Sequence, residues 1–156
     1  MLEAAIRRAK RRDRLLLIEA TSNQVNQFGG YTGQNAADFA RFVYGMAASN
    51  HLSGDQVLLG GDHLRPHPWR KESAAIAMEK AVNLVQSYVL AGFKKIHLDA
   101  SMHCADDPGD RNLPLADELG SERAAILCEA AEKASRELPQ GFDPPLYVIG
   151  TEVPIP

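Results

Sequence analysis

Four short apolar runs punctuate the chain, and each ends in a carboxylate: LLLIE at Glu19, VLLGGD at Asp62, KIHLD at Asp99 and LYVIGTE at Glu152. Runs of this length bounded by turn residues read as strands. Between them the apolar spacing changes to a helical period. Asn35 is placed to cap a helix carrying Phe39, Phe42, Val43 and Met46 on one face. Ser73 caps the next, whose stripe is Met78, Ala81, Val85, Tyr88 and Val89 and whose stop is Gly92. An alanine-rich helix follows from about Asp117 to Leu138, closed by Pro139, and a basic helix from about Leu2 to Lys10 opens the series. Helix and strand therefore alternate four times. Such alternation gives a parallel sheet with right-handed crossovers. Its chemistry collects at the C-terminal ends of the strands, where these carboxylates stand.

Parity within the strands chooses between the two common parallel architectures. Asp99 shares a face with His97 and Lys95, whereas Ile96 and Leu98 point the other way, and Glu152 shares a face with the small Gly150. A doubly wound sheet, covered on both sides, favours apolar residues on both faces. Polar inner faces favour a barrel. A complete eight-stranded barrel needs at least roughly 200 residues, and this chain has 156. The expected fold is α/β, a single domain over 1–156 forming a partial (β/α)8 TIM barrel of about four parallel strands, an internal piece of something longer. Such a piece leaves sheet edges and apolar surface uncovered.

Composition adds few constraints. With 45% hydrophobic residues, 24% charged residues and a net charge of −3, the chain suits one ordinary core. It has neither the apolar run of about 20 residues that spans a bilayer nor the apolar stretch of a secretory signal, so no membrane association and a cytoplasmic location are expected. Cys104 and Cys128 read as free thiols. The run Arg7, Arg8, Lys10, Arg11, Arg12, Arg14 reads as one solvated helix face on an acidic chain, not a nucleic-acid surface. The Gly29-Gly30-Tyr31-Thr32-Gly33 loop lacks a P-loop lysine and dinucleotide spacing and reads as a tight turn. Asp106, Asp107 and Asp110 miss the spacing of an EF-hand loop.

Asp62-His63 is the foremost chemical candidate, because a neutral imidazole binds Zn²⁺ and an adjacent carboxylate can move a proton. His63 and His67 have the spacing of a helical zinc pair, but Pro66 and Pro68 exclude a helix there. His97 reads as a hydrogen-bonded core histidine. His51 and His103 read as loop residues, His103 close enough in sequence to Asp99 to share its site. Lys94 and Lys95 fall at the start of their strand and are expected to face away from the site. A Schiff-base lysine belongs at the opposite end.

The stretches IEATSNQVNQFGGYTG (Ile18 to Gly33), GGDHL (Gly60 to Leu64), KKIHLDASM (Lys94 to Met102), CADDP (Cys104 to Pro108) and YVIGTEVP (Tyr147 to Pro154) closely resemble the non-catalytic subunit of class II D-tagatose-1,6-bisphosphate aldolase, the GatZ/KbaZ family. The resemblance covers nearly the whole chain, in order. It implies a (β/α)8 barrel that supports the activity and stability of a separate zinc-dependent catalytic subunit in galactitol, N-acetylgalactosamine and tagatose 6-phosphate breakdown. It also implies an alternative activity associated with some family members, metal-dependent 4-epimerisation of fructose 6-phosphate and tagatose 6-phosphate. Carried across, Asp62 resembles the proton-transfer aspartate of class II aldolases and His63 its neighbouring zinc ligand. Asp99 and Glu152 resemble the acidic residues after the following strands, so that Asp62, Asp99 and Glu152 are the expected catalytic residues. The other histidine ligands would come from later strands, which makes zinc binding weak or absent. Arg65 stands where the family usually has glycine, and places a large cation beside the site.

Overall fold

The structure is a computed structural model that describes residues 1–150; the expectations for Glu152 fall outside the described residues. The helices are α1 (Leu2–Arg12), α2 (Ala36–Ser49), α3 (Ala74–Leu90) and α4 (Asp117–Arg136), and the strands are β1 (Leu16–Thr21), β2 (Val57–Leu64), β3 (Lys95–Leu98) and β4 (Leu146–Ile149). The caps are those the sequence suggests. Asn35 Oδ1 accepts from the Asp38 amide at 2.9 Å, Ser73 Oγ accepts from the Ile76 amide at 3.5 Å, and Gly92 follows α3 at φ 85°.

Phe39, Val43 and Met46 of the expected α2 stripe pack against the core, but Phe42 turns outward. The buried face of α2 carries Ala36, Ala40, Val43 and Ala47, whereas Phe42 is 47% exposed. These four alanine and valine positions repeat at the helical period, and Phe42 stands about 100° round from Val43. Small residues let α2 approach the sheet, so volume outweighs hydrophobicity in fixing its orientation. In α3 the inward positions are Ala77, Ala81, Leu84, Val85, Tyr88 and Val89, with Met78 only partly buried.

All strand pairs are parallel, in the order β1-β2-β3-β4. One face of this sheet is the core: Ile18, Ala20, Val57, Leu59, Ile96 and Leu98 pack against Val43, Leu84, Val85, Tyr88 and Leu127 from the helices. The other face is open and carries Leu17, Leu58, Leu146 and Val148, all exposed, with Glu19, Lys95 and His97 among them. A doubly wound sheet reverses its strand order and wears helices on both faces. Sequential order with helices on one face is barrel architecture, here four strands of it.

The loop after β1 closes on itself. Its amides donate internally, Gly29 to Asn26 O, Tyr31 to Asn23 O, Thr32 to Gln24 O and Gly30 to Asn26 Oδ1. A Cβ on Gly30, at φ 55°, would meet Gln24 O at 2.3 Å. Glycine is therefore required by the turn, and its N–H groups are spent on the turn.

Candidate functional site

Regular alternation along β2 would place Asp62 and His63 on opposite faces of the sheet. It does not, because the strand bulges. Gly61 pairs with Ile96 and Leu64 with Leu98, so β2 spends one more residue than β3 across this step. His63 takes up the extra residue at φ 48°, the left-handed region that non-glycine residues seldom occupy. Ser22 Oγ donates to the His63 carbonyl at 3.1 Å and holds the bulge from β1's side. Gly61 makes room beneath it, since a Cβ there would meet Leu64 Cδ1 at 2.6 Å and Tyr88 Cδ1 at 2.9 Å. Strain of this kind persists where the surroundings enforce it.

The bulge brings Asp62 and His63 together with His97 of β3. His97 Nδ1 is 3.1 Å from Asp62 Oδ1, His63 Nδ1 is 3.1 Å from Asp62 Oδ2, and the two imidazole rings are 4.3 Å apart between centroids. Burial pushes the Asp62 carboxyl up, but hydrogen bonds from His97 and His63, with the charges of His63 and Lys95, outweigh it and hold Asp62 below the usual carboxylate range. Asp62 is therefore ionised near neutral pH. Its oxygens can then only accept, so an imidazole nitrogen hydrogen-bonded to Asp62 does the donating. Asp62, His63 and His97 offer ligand atoms that all lie within 4.8 Å of one another. Among the described residues this triad could hold a metal ion.

One layer deeper, Glu19, Gly60 and Lys95 lie side by side across β1, β2 and β3. Lys95 Nζ donates to Glu19 Oε1 and stands 3.9 Å from Asp62 Oδ1. The pair reaches across β2 because position 60 is glycine: a Cβ there would meet Glu19 Cγ and Oε1 at 2.9 Å. Gly60→Ala should therefore displace Glu19 at small cost to the fold, since the atom met is the end of a flexible side chain. A double-mutant cycle on Glu19→Gln and Lys95→Met should give about 1 kcal/mol of coupling with Gly60 and near zero with alanine. Equal coupling in both backgrounds would show that the gap is irrelevant.

A model of the family described as D-tagatose-1,6-bisphosphate aldolase subunit GatZ/KbaZ-like matches residues 1–156. The chain belongs to this family. It is 54% identical, over its whole length, to the D-tagatose-1,6-bisphosphate aldolase subunit GatZ of Klebsiella pneumoniae subsp. pneumoniae, and 53% identical to that of Escherichia coli O1:K1 / APEC. The chain spans 36% of the length of each. A crystal structure of a probable tagatose 6 phosphate kinase from Sinorhizobium meliloti 1021 superposes with a TM-score of 0.87 at 45% identity, covering 99% of this chain and 37% of that one.

Within this GatZ/KbaZ-like frame the structure moves Lys95, His97 and Glu19 from their expected places. Lys95 faces the site, because residues two apart on a strand share a face and His97 is already there. His97 is half-buried on that open face against Asp62 and His63, not in the helix-covered core. His103 Nε2 faces Leu113 O at 3.1 Å. Glu19 is not the last residue of its strand, as β1 continues to Thr21, the partner of Asp62. Asp99 follows β3 and is fully buried, accepting from Arg65 at 2.7 Å and from the amide and hydroxyl of Ser101. The large cation beside the site is thus paired with Asp99. Lys94 turns away, donating to Asp143 O at 3.1 Å. Both cysteines are free, and no helix among the described residues is long and apolar enough to cross a membrane.

Proposed function

We propose that this chain supplies part of the non-catalytic supporting subunit of a class II D-tagatose-1,6-bisphosphate aldolase, acting on a separate zinc-dependent catalytic subunit in galactitol, N-acetylgalactosamine and tagatose 6-phosphate breakdown. The observation that carries this reading is the 54% identity to a GatZ subunit along the entire chain. The work of such a subunit is done by surface burial against its partner. In the longer protein that contains this chain, His63→Ala should leave co-purification with the catalytic subunit and the partner's thermal protection within about 1 °C of wild type, because His63 is part of a strand-end bulge and the change removes no core contact. A partner that loses its protection when this protein is left out supports the reading; one indifferent to its presence defeats it.

The triad favours a second reading, metal-dependent 4-epimerisation of a hexose 6-phosphate. Asp62, His63 and His97 would hold the ion, and their mixed oxygen and nitrogen donors suit Zn²⁺. A bound divalent cation would supply Lewis-acid polarisation of a substrate oxygen. Asp62, held ionised, would accept a proton. Asp99 would keep Arg65 in place beside it, and Glu152 would add a second carboxylate. Turnover of fructose 6-phosphate by the wild-type protein without any partner, lost in His63→Ala, would favour this reading over the supporting one.

A further inference from the structure

The loops that follow β2 and β3 border an open hollow of about 550 Å³ at the same end of the sheet as Asp62, lined among others by the exposed Arg70, Lys71 and Arg111 and by His103. None of its lining residues is a carboxylate. The same loop holds three, but each is turned to a partner of its own. Asp107 takes Arg123 and the Cys104 amide, Asp106 accepts from the Ala74 amide, and Asp110 accepts from the Asn112 amide and side chain. Among the described residues Arg70, Lys71 and Arg111 enter no ion pair. Arg111 donates instead to the carbonyls of Cys104 and Ala105, which satisfy N–H groups without cancelling charge and fix the guanidinium in place. His103 Nδ1 is buried with no hydrogen-bond partner among the described residues.

Three cations that enter no ion pair among the described residues, around one cavity without a lining carboxylate, suit an anion with several acceptor oxygens. The volume lies within the range of small-molecule sites. We propose that this cavity is a phosphate-monoester subsite for a small phosphorylated ligand. A phosphate monoester carries close to two negative charges at pH 7, which three cations balance better than they would a single carboxylate. The site is separate from the metal-ligand triad and does not depend on the supporting-subunit reading.

Trp69, the chain's one tryptophan, adjoins Arg70 and offers a fluorescence signal. The protein is titrated with fructose 6-phosphate, inorganic phosphate and fructose, followed by calorimetry and Trp69 emission. Saturable binding of the phosphate-bearing ligands, silence with fructose, and affinity at least about tenfold weaker in Arg70→Ala and Lys71→Glu at unchanged melting temperature are expected. Tighter binding of the ester than of inorganic phosphate identifies a sugar phosphate as the source, and equal binding identifies free phosphate; both support the subsite. No saturable binding, or binding unchanged in Lys71→Glu and Arg70→Ala, overturns it. Partner protection is read separately, so a failed titration is not mistaken for failure of the supporting role.

Discussion

Arg123→Ala should destabilise the fold by about 3–5 kcal/mol, the usual cost of leaving a buried charge without its partner. Arg123 on α4 donates through both terminal nitrogens to Asp107, with side chains only 5% and 3% exposed. Asp107 also accepts from the Cys104 amide at 2.6 Å, so the pair anchors the long loop between β3 and α4 to the helix. Total domain stability is about 5–15 kcal/mol, so a loss of this size is readily measured by urea unfolding. Arg123→Lys keeps the charge and loses the fork, and should fall between. Acid supplies an internal check. The hydrogen bonds from Arg123 hold the Asp107 carboxyl below the usual range despite its burial. A group depressed in the folded state contributes stability above its unfolded value, about 3.9 for aspartate, and loses it as pH falls through the folded value. The gap between wild type and Arg123→Ala should therefore narrow below about pH 4. A gap that stays constant down to pH 2 would mean that the pair is not what Arg123→Ala removes.

The elements of this fold were readable because they rest on local rules. Asn35 and Ser73 cap the helices they announce, Gly92 ends α3, and the four apolar runs are strands. The outward position of Phe42 on α2 was not readable from hydrophobicity alone. A run of alanines at the helical period marks close approach to a sheet as firmly as a phenylalanine marks burial, and there it prevails over Phe42. The site was half legible. Parity already places Lys95 and His97 on one face, and that signal was sufficient to find both. The bulge was not visible, because an extra residue in one strand shows only against the register of its neighbour. Gly60-Gly61 was the available hint, since paired glycines inside a strand mark a bulge or a close approach. The pairing of Arg65 with Asp99 joins residues 34 apart in the chain and follows from no local pattern.

The bulge is also what changes the expectation for metal. A lone His63 would bind zinc weakly, whereas Asp62, His63 and His97 together form a group that could hold a metal ion. Lys95 lies 3.9 Å from Asp62 and would oppose a cation, yet Glu19 neutralises it across the gap at Gly60. Competition against a chromophoric chelator should therefore show one zinc per chain, with a matching rise in melting temperature. His63→Ala and His97→Ala should each weaken binding by about a hundredfold or more, since removing a ligand costs more than the 10–100-fold typical of its supporting groups. Lys95→Met should tighten binding, which a merely structural role for the layer would not produce. Zinc affinity identical in His97→Ala and wild type would remove β3 from the centre and return the site to His63 and a carboxylate alone.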